Sequence, residues 1–365
     1  MLFRSVARSA IHWTLRPGQL LVLDESGMAD LATINALARQ AQTSGAKLLL
    51  VGDHRQLPAI GAGGAFQMLT ESRCDTPQLA AIHRFRDPDG TARTWEATAS
   101  LQLRRGDERA IDAYARHDRL RDGDSDAMID AAYTAWKTDR SQGLDSLLIA
   151  ADNVTVQALN LKARADRIAD GQVRDGGVCL HDGTAAGVGD RVITRRVDRR
   201  LADGSNPRAR PDDYGRLSSG FVKNGTAFTV VAVRRDGSLR VRPDGASHLT
   251  VPPAEYVSPH VELGYAVTAH RCQGMTVDTT HTITTDRMTR EAFYVALTRG
   301  TRSNRAYITT DNPAQDESHT AFTPTASSRE AVLAAILRHE GAQPSAHTMR
   351  ARLASARKPS PMLER

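Results

Sequence analysis

Two adjacent carboxylates, Asp24 and Glu25, follow the apolar run Leu20–Leu23. An aspartate at the end of a buried strand can hold Mg²⁺ through its water shell, and the next glutamate can polarise an attacking water as a general base. The same pair is also typical of a helix start, because acidic side chains are favoured near helix N-termini. Taken alone, the pair leaves both interpretations open.

A second polar segment, Gly52–Pro58, follows the apolar run Lys47–Val51 and contains Gln56. A glutamine held at a strand tip by a turn and a proline can hydrogen-bond a γ-phosphate or the water that attacks it. An ordinary loop is the alternative. The segment therefore adds a candidate γ-phosphate sensor to the candidate metal site.

The elements that would position these residues form an α/β pattern. A helical stretch from 29 to 42 lies between the strand-like runs Leu20–Leu23 and Lys47–Val51, which predicts a parallel sheet. Both polar segments follow strand ends, where open α/β sheets place ligands. Strand Ser146–Ala150 and a helix through Val154–Ile168 predict a second α/β unit.

The rest of the chain changes character twice. Residues 95–142 predict amphipathic helices with breaks at Gly106 and around 121–124. Short β-like runs between 187 and 259 predict a small all-β insert, in which the polar stretch Arg199–Gly220 predicts a mobile loop. Strand and helix patterns return at Tyr265–Thr268, Glu291–Leu297 and Ala306–Thr309, and a mostly disordered tail with one helical pattern at Arg329–His339 is expected after Asp311.

Composition excludes several classes of protein. No apolar run approaches the 18–20 or so residues that cross a bilayer, and no secretory signal pattern follows the N-terminus, so we expect a cytoplasmic protein. Three widely spaced cysteines imply neither a disulfide framework nor a metal knuckle. The 48 lysines and arginines exceed the 42 aspartates and glutamates, which gives a net charge of +6, and nearly all of the basic residues are arginine. This charge is compatible with a polyanionic partner or with a solvated surface.

Five segments in order resemble the motifs of superfamily 1 helicases of the RecD-like, 5′-to-3′ branch. Asp24–Met28 and Gly52–Pro58 look like motifs II and III. Ile82–Arg86 resembles motif IV, Gly264–Thr276 resembles motif V, and Tyr294–Arg299 resembles motif VI. Five ordered motifs favour common ancestry over chance.

The pattern between the motifs is similar to the C-terminal helicase half of TrwC/TraI-type conjugative relaxases, over about residues 15–312. It includes Trp95-Glu96-Ala97, Trp136, Leu159-Asn160 and Val222–Gly225. The resemblance implies an α/β protein of two RecA-like P-loop NTPase domains, the first incomplete, with an SH3-like β insert in the second. The implied ranges are 1–80 for the first domain, 81–186 and 260–312 for the second, 187–259 for the insert and 313–365 for the tail.

The resemblance also implies roles for individual residues, with ATP and Mg²⁺ as cofactors and single-stranded DNA as a partner. The implied catalytic residues are Asp24, which also holds the metal, Glu25, Gln56, and the arginine fingers Arg84 and Arg299. Those that couple nucleotide to DNA are Gly52, Asp53, Gln273 and Gly274, and those that contact DNA are Thr268 and His270. Without the motifs, each arginine would be a surface charge and His270 a satisfied histidine at a strand end.

One essential part of such an enzyme is missing from the sequence. No Gly-x-x-x-x-Gly-Lys-Ser/Thr loop occurs, so nothing cradles the β- and γ-phosphates. We therefore expect an N-terminally truncated helicase region with an exposed apolar sheet face, and no ATP hydrolysis by this chain alone. Three alternatives remain: a split helicase completed by an upstream-encoded polypeptide with the Walker A loop and the relaxase domain, a DNA-binding module without ATPase activity, or a decayed gene fragment.

Overall fold

The computed structural model describes residues 14–59, 64–73, 75–79, 82–87, 89–206, 210–211, 215–217, 219–244, 248–311, 327–341 and 349–350. The chain divides into two compact units. Unit 1 holds the described residues within Met1–His117, Asp286–Thr298 and Glu330–Arg365, and unit 2 holds those within Asp118–Thr285 and Arg299–Arg329. The domain ranges implied by the motifs stay a prediction.

Helices and strands alternate through the described residues. The helices are α1 (Leu31–Thr43), α2 (Ala65–Ser72), α3 (Thr94–Arg105), α4 (Arg109–Arg116), α5 (Ser125–Ser141), α6 (Asn153–Ala169), α7 (Ala254–His260), α8 (Ala269–Cys272), α9 (Arg290–Ala296) and α10 (Arg329–Arg338). The strands are β1 (Leu20–Leu23), β2 (Lys47–Leu50), β3 (Leu120–Gly123), β4 (Ser146–Ala150), β5 (Val178–Cys179), β6 (Ala185–Ala186), β7 (Arg191–Thr194), β8 (Asp198–Ala202), β9 (Phe221–Val222), β10 (Ala227–Val233), β11 (Leu239–Pro243), β12 (Val261–Leu263), β13 (Ala266–Thr268), β14 (Val277–Thr284) and β15 (Gly300–Thr309). Among the described helices, none has the length and apolarity needed to span a bilayer.

Unit 1 contains a two-stranded parallel sheet of β1 and β2, joined through α1. Helix α1 begins where the side chain of Asp30 accepts a hydrogen bond from the backbone N–H of Thr33, which satisfies one of the free donors of the first turn. One face of the sheet contributes Leu23 and Leu50 to a core with Ile34 of α1 and with α2. The predicted strand–helix–strand unit is therefore present.

The opposite face of this sheet is apolar and uncovered. Leu20 and Val22 of β1 are 58% and 52% exposed, and Leu49 of β2 and Val51, the residue after that strand, are 45% and 40% exposed. Successive side chains of a strand point to opposite faces, so these four share one face. Parallel sheets are normally covered on both faces, so this surface is unusual for the fold.

Unit 2 is built on a five-stranded sheet in the order β13-β4-β14-β15-β3, and every pairing in it is parallel. All residues of β4 and nearly all of β14 are buried. Helix α5 packs against β14 and β15, and helix α6 packs against β13. The structure confirms the α/β class and the parallel sheet expected of a RecA-like domain.

A smaller antiparallel sheet, in the order β11-β10-β7-β12, takes three of its four strands from the predicted insert, and its edge strand β12 lies just beyond the predicted end of the insert at residue 259. Its SH3-like character stays a prediction. Arg199–Ala202 of the predicted mobile loop belongs instead to strand β8, which pairs with β9. Other parts of that loop, and most of the predicted tail, lie outside the described residues.

Candidate nucleotide and DNA sites

The carboxylate pair stands at the carboxyl end of β1, and both side chains are exposed. Glu25 has a φ of 52°, the left-handed conformation, which costs a residue with a side chain roughly 1–2 kcal/mol. It precedes a short 3₁₀ turn, Ser26–Met28, but its side chain makes no capping hydrogen bond there. The helix-start interpretation therefore does not explain Glu25, and strain of this kind is typical of functional sites.

Glycines bring the two polar segments into direct backbone contact. A side chain on Gly52 would place its Cβ 2.8 Å from the backbone nitrogen of Ser26, and one on Gly27 would lie 2.8 Å from the carbonyl oxygen of Asp53. The backbone N–H of Ser26 also donates to the carbonyl of Val51 (2.8 Å). The contact requires glycine at both positions, since real Cβ atoms do not come this close.

Asp53 organises the loop that carries Gln56. Its carboxylate accepts hydrogen bonds from the backbone N–H of Arg55 (3.0 Å) and from Nε2 of Gln56 (3.4 Å). It also accepts two bonds from the guanidinium of Arg104 on α3, at 2.8 and 3.2 Å. The sequence did not indicate Arg104, because 51 positions separate it from Asp53 and its neighbour Arg105 is chemically identical.

The residues at the ends of β1 and β2 fit the implied Mg²⁺ but only part of the implied ATP. Mg²⁺ keeps most of its waters and takes one or two carboxylates together with substrate phosphates, which suits Asp24 with Glu25 beside it. No larger group of His, Cys, Asp and Glu that could hold a metal occurs in the described part of the chain. The triphosphate of ATP lacks its backbone cradle, because the sequence has no Walker A loop. The fit thus extends to the metal and the γ-phosphate, but not to the β-phosphate.

Arg84 also belongs to unit 1. Its Nη1 donates a hydrogen bond to the carbonyl oxygen of Thr298, within the motif VI segment. Burial lowers the pKa of Arg84, and nearby Tyr294 opposes that shift. The described residues therefore bring the motif IV arginine onto the motif VI backbone.

Arg299 falls in unit 2 and is buried. Its carbonyl oxygen accepts the backbone N–H of Val277 (3.1 Å), which fixes the start of β15 beside β14. Burial raises the pKa of the Cys272 thiol to about 12, and the charge of Arg299 opposes this shift. Arg299 is therefore next to the motif V segment, and its role as an arginine finger stays a prediction.

The motif V residues follow β13 in unit 2. Thr268 ends the strand, His270 lies in α8, and Gln273 and Gly274 come directly after it. Protein packed around part of the His270 ring lowers its pKa by desolvation. Gly274 adopts a φ of 81°, which glycine tolerates without strain. DNA contact by Thr268 and His270, and coupling by Gln273 and Gly274, stay predictions.

A cluster of basic side chains surrounds Glu262 on β12, close in the chain to motif V. Arg271 of α8 pairs with this carboxylate at 2.9 Å, and Arg195, just after β7, pairs with it at 3.4 Å. The ring of His181 lies 3.7 Å from it. Because the two arginines share one carboxylate, the cluster is positive even with a neutral histidine.

Comparison with known proteins relates this chain to conjugation proteins. A family model described as an AAA domain matches residues 3–125. Conjugal transfer protein TraA of Rhizobium radiobacter is 27% identical over 319 residues, covering 84% of this chain and 26% of that protein. A probable conjugal transfer protein TraA of Sinorhizobium fredii is 27% identical over 307 residues, covering 80% and 25%. The chain spans about a quarter of the length of these curated relatives.

A solved structure, Bacteroides Pif1 bound to ssDNA, matches 79% of this chain and 70% of its own, with a TM-score of 0.46 and 16% identity. The sequence relationship to the TraA proteins, together with the AAA domain match, confirms the resemblance to the RecD-like superfamily 1 helicase region of conjugative relaxases.

Proposed function

We propose that this chain, related to the RecD-like helicase region of conjugative relaxases, is the C-terminal part of an ATP-dependent 5′-to-3′ DNA helicase. Its fixed contact between the Asp24-Glu25 turn and the Gln56 loop is the observation that carries the proposal. Glu25, exposed and held in a strained backbone, is suited to accept a proton from water. Gln56, held against Asp53, is suited to orient that water.

When bound, ATP would supply the γ-phosphoryl group whose loss drives movement along DNA. Asp24 would hold the water shell of Mg²⁺, while Arg84 and Arg299 would stabilise negative charge in the transition state. Thr268 and His270 would contact the backbone of single-stranded DNA. We propose the cytoplasm as the place where this helicase acts.

The proposal requires a Walker A loop from another polypeptide segment. The uncovered apolar face of β1 and β2 supports this requirement, because a further strand or helix of a RecA-like domain would cover it. We propose an upstream-encoded polypeptide, carrying the Walker A loop and a relaxase domain, as that partner.

A DNA-binding module without ATPase activity is the second candidate. The positive cluster of Arg195 and Arg271 around Glu262 favours it, since phosphate contacts by arginine need no nucleotide. This candidate predicts single-strand binding that weakens with salt and does not respond to ATP. A decayed fragment would show neither activity.

The deciding experiment measures ATP hydrolysis stimulated by single-stranded DNA, with the purified chain alone and together with the upstream polypeptide. Hydrolysis that requires both polypeptides and disappears in Glu25→Gln establishes the split helicase. Folded protein that binds single strands but hydrolyses no ATP in either mixture supports the binding module. Folded protein that does neither would overturn both proposals.

A further inference from the structure

We propose that helix α3 is a strut that ties the Gln56 loop to the Arg84 segment, and that Arg104 is the positioning residue at its carboxyl end. Helix α3, the Gln56 loop and the Arg84 segment all belong to unit 1. The contacts of α3 support the physical link between the two segments. A catalytic consequence of that link rests on the proposed function, in which Gln56 and Arg84 act on the same phosphate.

The carboxyl end of α3 fixes the Gln56 loop through Arg104. The guanidinium makes two bonds to one carboxylate oxygen of Asp53, and that same oxygen accepts the N–H of Arg55. The other oxygen accepts from Gln56. Both partners of the ion pair are largely shielded from solvent, so screening weakens it less than an exposed pair. Removing Arg104 therefore leaves Asp53 free to rotate away from Gln56.

The amino end of α3 fixes the Arg84 segment through a buried ion-pair network. Arg93, the residue before the helix, pairs with buried Glu96 (2.7 Å) and with Asp87 (2.8 Å), and it donates to the carbonyl of Arg86 (2.5 Å). Burial lowers the pKa of Arg93, but the two carboxylates outweigh it, and the pKa lies above its ordinary value. Arg93 therefore stays charged, and its bond to the carbonyl of Arg86 fixes the chain two residues after Arg84.

The body of α3 is itself held in place. The helix packs against α4 and α9, and α9 leads to Thr298, whose carbonyl accepts the Arg84 hydrogen bond. At its end Gly106 has a φ of 73°, and a Cβ there would lie 2.9 Å from Nη1 of Arg290 and 3.0 Å from the carbonyl oxygen of Leu337, so this end of the helix is closely packed. Because α3 is packed on several sides, we expect it to move as a rigid helix. A displacement of the Gln56 loop would then also displace the Arg84 segment.

Hydrogen exchange followed by mass spectrometry tests the strut in the nucleotide-free chain. In Arg104→Gln we expect amides of residues 52–58 to exchange at least fivefold faster than in the unsubstituted protein, and amides of residues 82–87 to exchange faster as well. Arg105→Gln is the matched control, because Arg105 is the next residue of α3, carries the same charge and has an exposed side chain. Equal exchange in the two variants overturns the role of Arg104, and a change confined to residues 52–58 overturns the strut.

Two further measurements separate positioning from general loosening. The charge of Arg104 helps to hold the pKa of His54 below its ordinary value, so a proton NMR titration should show a higher pKa in Arg104→Gln and an unchanged one in Arg105→Gln. Arg104→Lys keeps the charge without the two-point contact, so it should preserve the His54 pKa but not the exchange protection. An unchanged His54 pKa in Arg104→Gln contradicts the contact.

These measurements fail independently of the proposed function. They use no nucleotide, so slow exchange in Arg104→Gln removes the strut even if the two-polypeptide mixture hydrolyses ATP. Where that mixture does hydrolyse ATP, Arg104→Gln should lower kcat at least tenfold with little change in KM, while Arg105→Gln leaves both unchanged. Absence of hydrolysis in the unsubstituted mixture removes the proposed function and leaves the exchange result standing.

Discussion

The side-chain oxygen of Asn160 accepts a hydrogen bond from the backbone N–H of Tyr265 at 2.9 Å. The same oxygen accepts the N–H of Ala266 at 2.8 Å, and the amide nitrogen donates to the carbonyl of Leu263 at 3.2 Å. Asn160 is buried on α6, so these bonds replace water at the start of β13. One side chain of α6 thus sets the position of the strand that leads to Thr268.

Replacing Asn160 with leucine leaves two buried N–H groups without a partner. At about 1–3 kcal/mol for each group, we expect the free energy of unfolding to fall by about 2–6 kcal/mol. Urea denaturation measures this loss. Gln157→Leu on the same helix is the control, because its amide makes one half-buried bond, to the carbonyl of Asp182 (2.9 Å). Equal losses in the two variants would contradict the special role of Asn160.

Backbone strain at Glu25 predicts that replacing this residue with glycine stabilises the fold. Glycine adopts the φ of 52° without the steric cost, so Glu25→Gly should raise the free energy of unfolding by about 1 kcal/mol. Glu25→Ala removes the carboxylate but retains Cβ and should bring no such gain. Thermal denaturation of both variants checks this. A gain in Glu25→Ala as large as in Glu25→Gly would show that the carboxylate, and not the backbone, is the source of strain.

Local sequence patterns were sufficient where a strand is a continuous apolar run. The apolar run Leu20–Leu23 matches β1 in the structure, and Ser146–Ala150 matches β4. Strand β3 was missed, since Leu120–Gly123 is polar and lies at the edge of the sheet with two exposed residues. An edge strand of this kind lacks the apolar pattern from which strands are predicted.

Contacts between distant residues could not be predicted in the same way. The motifs indicated Asp53 and Gln56 but not the partner Arg104, because a pairing across 51 positions depends on the path of the chain. Asn160 stood in a recognised pattern, yet its bonds to Tyr265 and Ala266 cross more than 100 positions. The sequence therefore indicated the residues suited to chemistry, and the structure added the residues that hold them.

Burial of His54 predicts that acid weakens the fold. Desolvation, helped by Arg55 and Arg104 and opposed by Asp53 and Glu71, lowers the pKa of His54 below its ordinary value of 6.5. As the pH falls through 6.5 the unfolded chain therefore takes up this proton first, and the free energy of unfolding decreases. Urea denaturation from pH 8 to pH 5 should show a shallower decrease in His54→Gln. Parallel curves across that range would contradict the prediction, and the values at pH 8 give the packing cost separately.

The basic cluster around Glu262 predicts the salt dependence of single-strand binding. If Arg271 and Arg195 each contact a phosphate, replacing either with glutamine should weaken binding and reduce the slope of log K against log salt by about 0.7. Fluorescence anisotropy with a labelled oligonucleotide at several salt concentrations measures both quantities. Arg240→Gln removes the same charge from β11, at the opposite edge of the sheet that holds Glu262, and should alter the slope less. The same reduction in all three variants would indicate net charge alone.

The uncovered face of the β1–β2 sheet predicts different outcomes for its two sides. Val22 and Leu49 are register partners on the exposed face, so replacing both with threonine should change the free energy of unfolding by no more than about 0.5 kcal/mol and reduce self-association in sedimentation experiments. Leu23 and Leu50 are register partners packed toward Ile34, and the same double replacement there should cost several kcal/mol, since it places two hydroxyls in a core. Equal losses of unfolding free energy in the two double variants would mean that the face with Val22 and Leu49 is already covered in the isolated chain.

If a Walker A polypeptide docks on the face with Val22 and Leu49, the double threonine variant of these two residues should fold normally and still fail to bind that polypeptide.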